Sequence, residues 1–497
     1  MNKTGFDNAK YLEMQSAKIL ERIEMFGDKL YLEFGGKLFD DYHASRVLPG
    51  FEPDSKIKML SQLKDKAEIL ISINADHIQK NKQRSDLGIT YDTEVLRLID
   101  IFRTNGFYVG SVVLTCFQSQ PSAETFRKRL ENLGIKVYRH YPIEGYPHDV
   151  DKIVSDDGYG KNEYVPTTRP LVVVTAPGPG SGKMATCLSQ LYHEYKRGVK
   201  SGYAKYETFP IWNLPLNHPV NLAYEAATAD LNDMNMIDPF HLEAYGKMTV
   251  NYNRDVEIFP VLDAIFKGIY GDDSPYFSPT DMGVNMVGNC IVDEDGVCDA
   301  SKREIVRRYY DALCAYRDDD NERNYNAVQK IELLMQQAGI SKDYRKVIAA
   351  AKAKSAETGV PAAAIELPDG RIITGKSTDM LESVSAMILN ALKAITSIPD
   401  EIHLLAPEVI EPVRKLKCQY LSRTYKKLNV NEILIALSIS AHTSATAAHV
   451  LKHLPNLAGC DIHSTVMLSS ADVEVLKKLG LNVTCEPKYQ IKEIFIG

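Results

Sequence analysis

An apolar run, LVVVT at 171–175, leads into A-P-G-P-G-S-G-K and then into a helical pattern that ends near Gly198. Glycines in such a turn let backbone N–H groups wrap an anion, a helix N-terminus adds the positive end of its dipole, and a lysine adds a full charge. Gly178, Gly180, Ser181, Gly182 and Lys183 are therefore the candidate residues for holding a phosphate group. The stretch departs from G-x-x-x-x-G-K-[ST] at two places, with Pro177 at the first glycine and Met184 where a Mg²⁺-binding hydroxyl belongs. Ser181 or Thr186 offers a hydroxyl nearby. The dinucleotide pattern G-x-G-x-x-G also fails, because Lys183 stands where its third glycine belongs. Anion binding is the expectation, and a structural Gly/Pro turn without a ligand is the alternative.

Other clusters add to this loop. In EFGGKLFDDYHASRVLPGF (33–51), Lys37 and Arg46 supply cations for a phosphate, and Asp40, Asp41 and His43 stand between them. ILISINADHIQ places Asn74, Asp76 and His77 at a strand end, where an acid could recruit Mg²⁺. Residues 211–246 crowd amides, carboxylates and imidazoles among apolar residues, with His218, Glu225, Asp230 and Asp238 the first to test. A helix over 219–231 would align Asn221, Glu225, Thr228 and Asn232, either as a buried hydrogen-bond network or as a substrate wall. The loop at 276–285 carries Ser278, Thr280, Asp281 and Asn285. His442, His449 and His453 fall on one face if their segment is a single helix; with no H-E-x-x-H or P-C-x-x-C, they read as satisfied or partner-facing histidines before a metal site. IVDEDGVCD (291–299) lacks calcium-loop spacing and reads as an Asp-Gly turn.

These residues need a scaffold, and 497 residues give chain for about two to four domains. Short apolar runs (KLYLEFG, AEILISI, SVVLTCF, KVYRH, LVVVT) alternate with helical segments, which predicts an α/β fold built on a doubly wound, mostly parallel sheet. Residues 1–245 form that region and carry the P-loop-like turn. A mainly helical region over 246–354 follows, with RDDDNER (317–323) as a solvated connection between two helices. Residues 355–497 read as a C-terminal α/β subdomain: a hairpin around Pro368-Asp369-Gly370, then helices and short strands.

A net charge of −7 gives no overall electrostatic footprint for nucleic acid. No apolar run spans a bilayer and the first residues mix charges, so a cytoplasmic protein without membrane or nucleic-acid partners is expected. The eight cysteines form no C-x-x-C pair and read as free thiols. Homo-oligomerisation is expected from the frequency of symmetric assemblies alone.

Taken together, the segments FGGKLFDDYHASRVLPGF, TAPGPGSGKMATCLSQLYHE, NHPVNLAYEAATADL, IDPFHLEAYG, SPTDMGVN and HSTVMLSSAD resemble a bacterial family of uncharacterised proteins, a domain of unknown function, over essentially the whole chain. The resemblance implies an α/β N-terminal part, a helical insert and a C-terminal α/β subdomain. Some relatives carry an ATP-dependent peptidase label, for which this sequence holds no protease motif. The AAIELPDGRIITG hairpin and following helix are similar to the opening of the cytidine-deaminase-like layout, without its zinc ligands.

The functional expectation is a protein that binds a nucleotide or other phosphorylated small molecule, with phosphoryl transfer or ligation as the accompanying chemistry. Lys183 would stabilise developing charge, His218 and Glu225 would line the substrate wall, and Asp230 or Asp76 would recruit Mg²⁺ for a nucleotide cofactor. The alternatives are a non-catalytic phospho-ligand sensor or oligomeric scaffold, and a metallohydrolase built on the histidine stripe.

Overall fold

The computed structural model describes residues 4–27, 29–35, 38–39, 41–84, 88–421 and 426–490. The chain divides into two compact units. One, the sheet unit, comprises Thr4–Asn221 and Asp233–Glu294; the other comprises Leu222–Asn232 and the chain from Asp295 onward.

The sheet unit is built on seven parallel strands: β1 (Leu30–Phe34), β2 (Ala67–Asn74), β3 (Tyr108–Thr115), β4 (Lys136–Arg139), β5 (Leu171–Thr175), β6 (Gly202–Tyr206) and β7 (Gly283–Val284). Their order across the sheet is β7-β6-β1-β5-β2-β3-β4. The first five are the apolar runs of the sequence. LVVVT is buried at every position, the mark of a strand covered on both faces, and such strands are near-continuous in Val, Ile and Leu. The crossover after β4 carries the chain from the sheet edge back to its centre, where β5 pairs with β1 (Leu30 opposite Leu171) and with β2 (Ala67 opposite Leu171). The chain then leaves β5 for the far side of β1. The loop after β5 is therefore central, at the carboxyl edge where parallel sheets place ligands.

Among the helices of this unit, α1 (Tyr91–Thr104) packs against β2 and β3, α2 (Lys183–Lys196) against β1, β5 and β6, and α3 (Asn253–Tyr270) against α2. His140, just after β4, is buried, with its Nε2 3.2 Å from the Glu163 carbonyl oxygen. Burial pushes the imidazole down to about 4 from an ordinary 6.5. The folded state thus resists protonation, so stability is intact above pH 6.5 and falls as pH drops from 6.5 to 4. The expected loss is about 3 kcal/mol, and His140→Gln should flatten that part of a urea-unfolding pH profile.

In the second unit, α4 (Glu294–Asp318) and the Glu322–Gln337 helix are joined through Asp319 and Asp320, and the Asn321 side chain caps the latter by accepting from the Asn324 N–H. The connection is the one expected at 317–323. A four-stranded sheet follows: β8 (Ala362–Glu366), β9 (Ile372–Lys376), β10 (Asp461–Ser464) and β11 (Asn482–Cys485), in the order β9-β8-β10-β11. β8 runs antiparallel to both neighbours, and β10 and β11 are parallel.

Three local expectations are corrected. Asp295-Gly296 lies inside the first turn of α4 instead of forming a tight turn; acidic residues in a first turn suit the helix dipole. The segment carrying the histidines is two helices, Val430–Ser440 and Ala445–Leu451, because the Ser444 side chain accepts from the Ala447 N–H and caps a new start. The 219–231 helix ends at Ala227 and gives way to a 3₁₀ turn at Ala229–Leu231.

Candidate functional site

The turn between β5 and α2 is closed by its own hydroxyls. Ser181 Oγ donates to the Gly178 carbonyl at 2.8 Å, and Thr186 Oγ1 donates to the Gly182 carbonyl at 2.9 Å while accepting from Ser72 Oγ at 3.1 Å. Thr115 Oγ1 donates to the Ser181 carbonyl at 3.0 Å and anchors the turn to β3. Two glycines are required by space. Gly182, the N-cap of α2, has φ +81°, and a Cβ there would stand 2.9 Å from the Thr115 side chain; at Gly178 a Cβ would stand 2.3 Å from the Tyr91 hydroxyl. What the turn presents outward is therefore backbone, and the first-turn N–H groups of a helix have no intrahelical acceptor. Lys183 begins the helix at this point.

His77 borders the same turn. A Cβ on Gly180 would lie 3.2 Å from its Cε1. Lys82 Nζ is 3.4 Å from His77 Nε2 and 3.5 Å from the Pro179 carbonyl oxygen. An ammonium only donates, so His77 Nε2 accepts and the ring proton sits on Nδ1. That Nδ1 is buried without a hydrogen-bond partner among the described residues. Burial, and then Lys82, lower the His77 pKa, which keeps the ring neutral. The result is an N–H donor with no acceptor beside a Gly-rich turn.

On the other side of Lys183 lies a charged network that single-sequence reasoning missed. Lys183 Nζ is 3.7 Å from Glu33 Oε1 on β1, and Tyr203 OH on β6 donates to Glu33 Oε2 at 2.7 Å. Glu33 is in register with Lys205 of β6, so the two side chains share a face of the sheet. Lys205 Nζ pairs with Glu207 Oε1 at 2.8 Å, donates to Asp255 Oδ2 and Tyr252 OH, and lies 4.5 Å from the centre of the Tyr252 ring. Lys205, Glu207 and Asp255 are each under a tenth exposed. One cation cannot neutralise two buried carboxylates; burial pushes the Glu207 carboxyl up to about 7 against the opposing pull of Lys205, with Asp255 adding to the rise. Tyr146 is 44% exposed, and burial and then Glu33 and Cys116 raise its hydroxyl pKa. The sequence signal for this network was a charge inside each apolar strand (LYLEF, GYAKY) and the period-two spacing of Lys205 and Glu207.

The residues expected from the sequence are distributed as follows. Gly178, Gly180, Ser181, Gly182 and Lys183 form the turn. Lys37 and Asp40 lie outside the described residues. Arg46 is half-buried on the short helix Tyr42–Val47, which Asp41 caps while pairing with Lys56 at 2.7 Å. Asp76 accepts from Gln120 Nε2 at 2.8 Å. His218 is buried; its Nδ1 accepts from the Val220 N–H, so its Nε2 carries the proton toward Glu294 Oε1 at 2.5 Å. Asn221 clamps Ile211 and Pro215 through its amide, and Asp238 caps the Pro239–Tyr245 helix and accepts from Thr280. That part of 211–246 is a buried hydrogen-bond network. Glu225 and Asp230 belong to the second unit, where Asp230 pairs with Arg323 at 2.8 Å. His442 sits in the turn between two helices, and among the described residues the three histidines form no cluster of ligating atoms.

No helix among the described residues is long and apolar enough to cross a membrane. The family described as "Domain of unknown function DUF1846, N-terminal" matches residues 4–339, and its C-terminal counterpart matches residues 343–495. The chain is 56% identical over 495 residues to a UPF0371 protein of Streptococcus pyogenes serotype M5 (strain Manfredo), covering all of both chains. It is 55% identical over 496 residues to a UPF0371 protein of Streptococcus thermophilus (strain CNRZ 1066), again end to end. A match across both halves and near-complete relatives at this identity place the chain in the uncharacterised DUF1846 (UPF0371) family of bacterial proteins.

Proposed function

We propose that the sheet unit binds a phosphorylated small molecule at the turn between β5 and α2, with a nucleotide as one member of that class. The observation that carries this reading is a backbone-lined, Gly-dependent turn at the centre of the carboxyl edge, opening onto the first turn of a 14-residue helix that starts with Lys183. The His77 ring, which meets Gly180 through Cε1, supports it through a buried Nδ1–H that has no acceptor among the described residues, since buried donors in folded proteins ordinarily find one. A P-loop-like role for the turn and a deaminase-like scaffold for the hairpin-led β8–β11 sheet belong to this reading.

Mg²⁺ does not fit the hydroxyls of the turn. Ser181 and Thr186 are 1% and 0% exposed, and the Thr186 oxygen already accepts from Ser72, so neither oxygen is open to a cation at the mouth of the turn. The carboxylate beside Lys183 is Glu33. The chemistry open to the bound group is proton transfer through the Glu207–Lys205–Asp255 network, whose Glu207 is poised near neutrality.

The test is a thermal-shift and calorimetric titration of the full chain with inorganic phosphate, pyrophosphate, sugar phosphates and nucleotides, with and without Mg²⁺. A ligand at 100 times its Kd should add about 2.7 kcal/mol of apparent stability. Lys183→Ala should weaken that ligand by about tenfold to a hundredfold, the range for a charge-assisted hydrogen bond. Unchanged affinity in the variant, or no response to any phosphate compound, would sink the reading. Turnover that tracks Glu207→Gln separates an enzyme from a sensor.

A further inference from the structure

The eight cysteines are free thiols. Two of them meet inside the second unit: Cys314 on α4 and Cys485, the last residue of β11, have their Sγ atoms 3.6 Å apart. Cys314 Sγ also lies 3.5 Å from the Cys485 carbonyl oxygen. Both residues are half-buried, whereas Cys187, Cys290 and Cys460 are buried. A disulfide bond spans about 2.0 Å, so the two sulfurs need to close by about 1.6 Å.

We propose that Cys314 and Cys485 are a thiol-oxidation site that a hydroperoxide converts into a reversible disulfide tying α4 to β11. The attacking sulfur is that of Cys485. The contact between the two sulfurs, in which either thiol can donate, holds the Cys485 pKa below the ordinary thiol value against the opposing effect of burial, while Cys314 itself is raised. The Cys485 thiolate attacks one oxygen of hydrogen peroxide, the O–O bond breaks, and hydroxide leaves and takes up the proton released by Cys485. The resulting sulfenic acid is attacked by the Cys314 sulfur; the S–S bond forms, the S–O bond breaks, and the hydroxyl departs with the Cys314 proton as water. Two thiols lose two electrons and one peroxide gains them, giving one disulfide and two waters.

The surroundings suit a confined pair. Tyr310, one turn before Cys314 on α4, lies edge-on to buried His463, and Glu486, next to Cys485, pairs with Lys352 at 3.0 Å. Lys352 Nζ also lies 3.5 Å from Tyr310 OH, and Tyr489 OH donates to Asp318 of α4 at 2.9 Å, so the chain that follows Cys485 is held against the helix that carries Cys314.

The experiment exposes the native full chain to limiting hydrogen peroxide, quenches with an alkylating agent and maps the non-reduced peptides by mass spectrometry. The expected result is a Cys314–Cys485 cross-linked peptide lighter by two hydrogens, removed by dithiothreitol, with Cys485 losing its thiol about tenfold faster than Cys187, Cys290 or Cys460. Cys314→Ser should abolish the cross-link and leave a sulfenic acid at Cys485 that a 1,3-dione traps. Recovery of both cysteines as alkylated thiols after other cysteines have oxidised would overturn the proposal. Conversion of Cys485 in the native chain to sulfinic acid without a cross-link would overturn it equally.

Discussion

Replacing Lys205 with methionine is expected to destabilise the sheet unit by about 3–5 kcal/mol, because Glu207 and Asp255 would remain buried without the cation they share. Methionine retains the unbranched apolar stem, so the loss reports charge more than volume. The pH dependence gives the effect its signature. The Glu207 carboxyl stands at about 7 in the fold against an ordinary 4.5. Because its folded value is raised, its contribution is fully present below 4.5 and is lost as pH rises through 7. Without Lys205, the one pull that lowers the Glu207 carboxyl is gone and it moves further up. The gap between variant and native protein should therefore be widest near pH 8 and narrow toward pH 5, where Glu207 protonates. Urea unfolding at the two pH values measures this. A gap that does not change with pH would assign the loss to packing and remove the electrostatic account. Adding Glu207→Gln to the methionine variant should recover part of the loss, and the double-mutant cycle isolates the Lys205–Glu207 coupling.

The strands that carry this network were only partly legible in the sequence. LVVVT, AEILISI and SVVLTCF are dominated by Val, Ile and Leu and announce strands buried on both faces. GYAKY of β6 does not, because a glycine and a lysine interrupt the apolar run, and its strand character comes from pairing with β1. The position of β5 between β1 and β2 follows from a crossover that no local pattern encodes. The same divide runs through the candidate site. Gly178 to Lys183 are contiguous and readable, whereas Glu33, Lys205 and Asp255 are far apart in the chain and meet only through strand register and the start of α3. His218 and Asn221 drew attention as unusual polar residues; their side chains turn out to hold Val220, Ile211, Pro215 and Glu294, so the signal marked a buried network. The histidine stripe failed because one cap, Ser444, starts a new helix and breaks the period on which the stripe depended.

Arg345→Met should cost the second unit a comparable about 3–5 kcal/mol, for the same reason with the sign of the removed charge against a single acid. Arg345 is 1% exposed. Its guanidinium bonds Asp461 through Nε at 3.1 Å and Nη2 at 2.9 Å, Thr484 Oγ1 through Nη1 at 2.9 Å, and the Asn482 carbonyl through Nη2 at 2.8 Å. One side chain therefore ties β10 to β11. Burial alone would raise the Asp461 carboxyl; Arg345 first, and Arg303 after it, hold it below its ordinary 3.8 instead. A lowered folded value gives stability that is present above 3.8 and lost as pH falls, so the cost of Arg345→Met should be largest at neutral pH and shrink below pH 4. Arg303, 3.2 Å from Asp461, stays in place and keeps the loss toward the lower end of the range. Arg345→Lys supplies the discriminating comparison. Lysine keeps the charge beside Asp461 but lacks the planar fork that reaches Thr484 and Asn482 at once. Chemical denaturation at pH 7 should therefore place Arg345→Lys between the native protein and Arg345→Met. Equal losses in the two variants would assign the stabilisation to the fork's bonds to β11, and a native-like lysine variant would assign it to charge alone.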